Sequence, residues 1–335
     1  MVRVGIIGLG MMGLTHLDVY RRRSDCRVVA LSDRDADRLA GRSKASGNVE
    51  GQAQSGVAGL DVKRYAEGND LIADAGVDLV DICLPTHLHV DYAVAALKAG
   101  KHVLVEKPLA RSAADGRRIA DAARGARGLA MVAMCMRFWP GWTWLKEAVD
   151  DRRYGKVLAA TFRRTASHPG GAFYSNGALS GGALLDLHIH DADFVQHLFG
   201  MPRAVTSAGY RKLTSEWDHV VTRYHFADGP LVVAEGGWAM TKGYPFAMEY
   251  TVNFERATAS FRGGPQPLTV YVEGQPPLSP ELPEGMGYDH EIDYFLDCIR
   301  RGAAPSRVTL EDGWNTLRLC EAESLSAQTG QTVTL

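Results

Sequence analysis

The stretch Val2-Arg3-Val4-Gly5-Ile6-Ile7-Gly8-Leu9-Gly10-Met11-Met12-Gly13 decides the fold, together with Asp33, twenty residues beyond its last glycine. The segment before Gly8 reads as a buried strand, Met11 to Arg22 as a helix, and Arg27 to Ser32 (RVVALS) as the next strand. A dinucleotide needs a tight turn, close main-chain approach to its pyrophosphate, and a helix N terminus aimed at that anion. Gly8, Gly10 and Gly13 supply these in order, Met11 and Met12 open the helix, and Asp33 falls where a carboxylate grips an adenosine ribose 2′-hydroxyl. Glycine-rich turns are common. The strand before this one, the helix after it and the acid at this distance set it apart from an ordinary strand-to-helix connection.

Outward from this unit, residues 1–135 alternate strand and helix patterns, which implies a largely parallel sheet covered on both faces. A Gly/Ser/Gln-rich stretch from Gly47 to Gly59 reads as a surface connection. Asp78 to Leu84 (DLVDICL), His102 to Val105 and Leu129 to Met136 read as further strands, with helices around Tyr92–Leu97 and Ile119–Ala123 between them. After residue 135 the character changes. Strand-like runs at 157–165, 204–211, 219–226, 231–239, 249–254, 257–262 and 268–273 follow one another, with turn signals at Asp228-Gly229 and Gly263-Gly264-Pro265. One strong helix interrupts them, from about Ala183 to Phe199, and helical segments at 288–301 and 310–328 close the chain. The fold class is therefore α/β, with an N-terminal Rossmann domain (1–135) and a C-terminal α+β domain (136–335) on a mostly antiparallel open sheet.

Composition bounds the function. The 335 residues suit two domains, and 37 basic against 39 acidic residues argue against a general nucleic-acid or membrane-surface binder. No apolar run approaches the length of a membrane span, and no leader-like segment precedes the first strand. Cys26, Cys83, Cys135, Cys298 and Cys320 are far apart and form no metal or redox pair, as expected of reduced thiols in a cytoplasmic protein.

Ligands of open parallel sheets bind beyond the carboxyl ends of the strands. Three motifs fall there: Pro85-Thr86-His87-Leu88-His89, Glu106-Lys107-Pro108 and Arg137-Phe138-Trp139-Pro140. A fourth group, Ser180-Gly181-Gly182-Ala183-Leu184-Leu185-Asp186-Leu187-His188-Ile189-His190-Asp191, opens the second-domain helix. On a regular helix Asp186, His190, Asp193 and His197 recur at i, i+4, i+7 and i+11 and share one face. Polar groups on an otherwise apolar helix are costly unless paired or facing a polar cavity. Asp186 orienting His190 makes an acid/base unit. A satisfied structural network is the competing reading, and the better one for Asp193 and His197. Metal ligation is a weaker alternative, because His188 projects about 200° around a regular helix from His190. No metal is expected.

Together the four motifs resemble the Gfo/Idh/MocA family of NAD(P)-dependent oxidoreductases, typified by glucose–fructose oxidoreductase and inositol dehydrogenases. The resemblance runs from GLGMMG through PTHLH and ALKAGKHVLVEKPLA to GGALLDLHIHDADF and the terminal helices. It implies that Lys107 of the EKP motif, Asp186 and His190 are catalytic, with His190 moving the proton. It places Gly8, Gly10, Met11, Met12, Gly13, Asp33, Arg34, Pro85, Thr86, His87, His89, Glu106, Lys107 and Arg137 around the cofactor. Ser180 and His188 stand where the family often has glycine. The implied activity is hydride transfer between NAD and a secondary alcohol or ketone of a sugar, sugar derivative or cyclitol. Asp33 favours NAD, while Arg34 and Arg38 leave NADP use open. The open C-terminal sheet implies a homodimer or homotetramer. Two alternatives share the scaffold: an NAD-dependent glycosidase, and a non-catalytic cofactor-sensing regulator.

Overall fold

The structure, a computed structural model, describes residues 1–42, 56–263 and 267–335. Most of the expected connection at 47–59 and part of the turn at 263–265 lie outside the described residues. The chain divides into two compact units: Met1–Cys135 with Gly287–Trp314, and Met136–Met286 with Asn315–Leu335.

The first unit is built on strands β1 (Val2–Ile7), β2 (Cys26–Ser32), β3 (Lys63–Tyr65), β4 (Leu79–Ile82), β5 (His102–Glu106) and β6 (Ala130–Ala133). They form one parallel sheet in the order β3-β2-β1-β4-β5-β6. β1, β2, β4, β5 and β6 are largely apolar and buried, with Arg3 and Arg27 as the exposed exceptions, as expected of strands covered on both sides, whereas the edge strand β3 (Lys63-Arg64-Tyr65) is mostly exposed. Strand order reverses between β1 and β4, so the loops after these two strands flank the switch point where an open α/β sheet binds its ligand. Helix Gly287–Arg301 packs on helix Met11–Arg21, burying Ile292, Phe295 and Leu296, with Arg22 paired to Asp289 and Arg23 to Asp293. The sequence predicts this helix at 288–301, and its structure spans Gly287–Arg301. Which sheet it would cover was not written locally, and the boundary at 135 therefore leaves out a returning segment of this unit.

The second unit holds β7 (Val157–Ser167), β8 (Ala204–Tyr210), β9 (His219–His225), β10 (Leu231–Met240), β11 (Ala247–Phe254), β12 (Ala257–Phe261), β13 (Leu268–Val272) and β14 (Val333–Thr334). Their order is β13-β12-β11-β7-β10-β9-β8-β14, antiparallel except for the β7–β10 pair. One face is apolar and covered by helices Pro140–Asp150 and Ile189–Phe199. Trp142, fully buried, meets Phe194 edge-on at 4.7 Å and Tyr250 at 5.4 Å between ring centroids. The first of these helices was not anticipated from sequence, although Pro140 at its first turn is a standard helix opening. No helix among the described residues is long and apolar enough to cross a membrane.

Candidate active site

The three glycines of the first turn differ in what surrounds them. Gly8 has φ +96°, and a Cβ there would lie 2.5 Å from the Cys83 carbonyl oxygen. A Cβ on Gly13 would sit 1.8 Å from the Gly8 carbonyl oxygen, so only glycine lets helix and loop pack this closely. A Cβ on Gly10 would meet nothing within 4 Å. The open glycine is the N-cap of helix Met11–Arg21, which no side chain caps. A main chain bare of side chains at an uncapped helix N terminus is what a pyrophosphate requires, and the turn fits a dinucleotide. Asp33 closes the cradle: Oδ2 accepts from the Leu9 amide at 2.8 Å and Oδ1 from the Asp35 amide at 2.9 Å. Arg34 pairs with Glu67 at 3.2 Å and Arg38 with Asp35 at 3.6 Å, so carboxylates already engage both arginines.

After β4, His87 is exposed and Thr86 buried, while His89 has no exposed surface. The His89 ring bridges two loops, with Nδ1 2.9 Å from the Pro108 carbonyl and Nε2 2.7 Å from that of Leu84. Burial depresses its pKa. After β5, Lys107 is half-buried, and its amide donates to its neighbour's carboxylate, Glu106 Oε2, at 2.9 Å. The other Glu106 oxygen lies 3.2 Å from Nε2 of His16, whose Nδ1 is 2.9 Å from Asp81. His16, Asp81 and the nearby Glu291 were not singled out from sequence. An aspartate inside the apolar run DLVDICL, and a histidine among Leu14, Leu17, Val19 and Tyr20, were the signals available.

In the second unit, the expected regular helix is corrected. Leu184–His188 form a π-helical turn that runs into the α-helix Ile189–Phe199. Because π turns bond i to i+5, the phase that would align Asp186 with Asp193 and His197 is broken. Asp186 and His190 are half-buried, whereas Asp193 is buried and bidentate with Arg137 at 2.8 and 2.7 Å. Thr316 also donates to Asp193 at 3.0 Å. Arg137, expected beside the cofactor, is 2% exposed, and its guanidinium is committed to this pair. His197 tilts against Phe194. His188 is fully buried, 3.1 Å from Glu323 and 3.3 Å from the Tyr224 hydroxyl. Burial works against its charged form, yet Glu323 with Asp191 more than offsets it and raises the pKa. His188 lies so close to β10 that a Cβ on Gly236 would stand 2.5 Å from its Nδ1.

This fold and this glycine cradle define a class, the NAD-binding oxidoreductases with a Rossmann domain. The model of the oxidoreductase family with an NAD-binding Rossmann fold matches residues 2–134, and that of the Gfo/Idh/MocA C-terminal domain matches residues 142–260. The myo-inositol 2-dehydrogenase of Thermotoga maritima is 31% identical over 257 residues, covering 74% of this chain and 72% of that protein. The inositol 2-dehydrogenase of Rhizobium meliloti is 27% identical over 347 residues, 96% and 95% of the two chains. A levoglucosan dehydrogenase in complex with NADH and levoglucosan has the same fold, with TM-score 0.85 over 99% of each chain at 21% identity. The chain belongs to the Gfo/Idh/MocA oxidoreductase family.

Proposed function

We propose that this protein is an NAD-dependent dehydrogenase that oxidises a secondary hydroxyl of a polyhydroxylated small molecule, a cyclitol or a sugar. The observation that carries this reading is the π turn: it leaves Asp186 and His190 half-buried on a segment where Leu184, His188 and Ile189 are buried. The inositol dehydrogenases among its relatives point to the cyclitol. Bound NAD supplies the hydride acceptor. Gly8, Gly10 and Gly13, with Met11 and Met12 at the helix start, hold its pyrophosphate. Asp33 takes the ribose hydroxyls, and Pro85, Thr86 and His87 line the loop after β4. His190 takes the hydroxyl proton, Asp186 orients the ring, and Lys107 donates to the reacting oxygen, stabilising the negative charge that develops there. In reverse the same groups donate to a carbonyl.

Asp33 sets a preference for NAD, since a carboxylate repels a 2′-phosphate and the neighbouring arginines are paired. The outer face of the eight-stranded sheet exposes Leu158, Val221, Leu231 and Tyr271, and we assign it to a homodimer or homotetramer. Five free, buried cysteines suit a cytoplasmic location. The test is NAD reduction across a panel of inositols, monosaccharides and glycosides. Reduction with an inositol or sugar is expected; glycoside cleavage without net reduction, or cofactor binding with no turnover on any polyol, overturns the reading.

A further inference from the structure

His16 lies in the interior of the first unit with no exposed surface, and carboxylates surround it. From β4, Asp81 Oδ2 is 2.9 Å from Nδ1, and from β5, Glu106 Oε1 is 3.2 Å from Nε2. Glu291, on helix Gly287–Arg301, puts a carboxyl oxygen 4.0 Å from the same Nε2. The Cys83 sulfur is 3.5 Å from Nδ1, and the Tyr288 ring stands 6.4 Å away. A carboxylate faces each ring nitrogen: Nδ1 is within hydrogen-bond distance of Asp81, whereas Nε2 meets Glu106 as an ion contact without hydrogen-bond geometry. Although burial opposes the charge, the Asp81 carboxylate beside Nδ1 raises the His16 pKa above its ordinary value. Burial raises the Glu291 carboxyl well above the carboxylate range.

The two oxygens of Glu106 divide their work. One meets His16, three residues beyond Gly13 on the helix that follows the glycine turn; the other accepts the main-chain N–H of Lys107. A single buried carboxylate thus joins the helix that ends the cofactor cradle to the strand end that presents the lysine. We propose that His16, bridging Asp81 and Glu106, is a positioning residue that fixes Glu106 and through it the main chain of Lys107. This rests on the assignment of Lys107 to the reacting oxygen. His16 touches no reacting atom itself. Its effect is exerted through registry, where a displacement of about 1 Å costs up to ~10²-fold in rate.

The donor atoms of His16, Asp81 and Cys83 lie within 4.8 Å of one another, a spacing that a metal ion could use. The thiol argues otherwise. The Cys83 S–H already donates to Asp81 Oδ1 at 3.4 Å, a contact and a proton that a metal would have to displace, because a metal binds the thiolate.

The test compares His16→Gln, Glu106→Gln, the double variant and Lys107→Ala as full-length proteins. His16→Gln keeps one donor and most of the volume; Glu106→Gln keeps an acceptor for the Lys107 amide and removes the charge. Each single variant is expected to lower kcat by ~10- to 100-fold with the Kd for NAD changed less than about threefold. The double variant should be no worse than the poorer single one, because both break the same link. Unchanged kcat in folded His16→Gln and Glu106→Gln, with only a lower Tm, overturns the proposal. So does a stoichiometric divalent metal bound to the wild type and lost in His16→Gln. Should His16→Gln not fold, Glu106→Gln decides alone. Lys107→Ala separates the two levels: normal turnover in that variant defeats the lysine assignment, whereas a loss there beside normal His16→Gln and Glu106→Gln defeats the positioning role only.

Discussion

The two glycine-led helices to which we assign the cofactor cradle and the acid/base pair are built on different terms. Helix Met11–Arg21 starts as a regular α-helix straight from its glycine turn, and each glycine has a local reason to be there. The helix ending at Phe199 starts after Gly181 and Gly182, both with positive φ, but spends its first turn in π geometry before becoming regular. Each buries a histidine in its early turns, and each histidine is paired with a carboxylate from a distant segment: His16 with Asp81 and Glu106, His188 with Glu323. On the proposed reading, the first helix holds the cofactor pyrophosphate by main-chain geometry alone. The second must present side chains, and an irregular turn pinned by a buried pair sets where those side chains stand. Main-chain recognition tolerates a plain helix; side-chain chemistry needs a held one.

The largest effect should separate presentation from binding. Lys107→Ala and His190→Ala are each expected to lower turnover by ~10²–10⁴-fold, while NAD titration changes little. Their effects should be strongly non-additive, since both act on one proton transfer. Near-normal turnover in His190→Ala breaks the functional half of the comparison.

Next come the glycines. Gly13→Ala drives a methyl into the Gly8 carbonyl and should cost more than about 3 kcal/mol in urea unfolding. Gly10→Ala meets open space and should leave Tm unchanged, yet weaken NAD binding by at least ~10-fold, because the methyl takes the place of the pyrophosphate. If both variants lose stability equally, the glycines are structural and the cradle reading is wrong.

His188→Ala should cost about 3–5 kcal/mol, because Glu323 is left buried without its partner. His188→Gln keeps the volume and tests the charge. The His188 pKa is raised in the folded protein above 6.5, so its contribution is complete below that pH and fades as pH rises through the folded value. The stability gap between wild type and His188→Gln should therefore narrow from pH 6 to pH 10 in denaturant titrations. A gap that stays constant or widens refutes a charged His188. The smallest effect is expected at Asp33: Asp33→Ser should move the NAD-to-NADP ratio of kcat/KM toward NADP by ~10-fold or less.

Much of this molecule could be read along the chain because its signals are local. The glycine spacing, the apolar strands of the first unit and the seven strand runs after residue 157 all depend on main-chain conformation and burial period, which neighbouring residues settle. Lys107, Asp186 and His190 were legible as motifs for the same reason. The fate of the polar groups was not. Nothing near His16 announces Glu291, and nothing near His188 announces Glu323, since those partners arrive from helices Gly287–Arg301 and Leu310–Thr329. The π turn, the Arg137–Asp193 pair and the return of residues 287–314 to the first unit depend likewise on which distant surfaces meet. The sequence by itself determined the dinucleotide cradle and the two kinds of sheet, because periodicity and turn chemistry act within a dozen residues. Only the tertiary structure decided which buried charges find partners, because a carboxylate's partner is chosen by proximity in space, and sequence separation carries no trace of it.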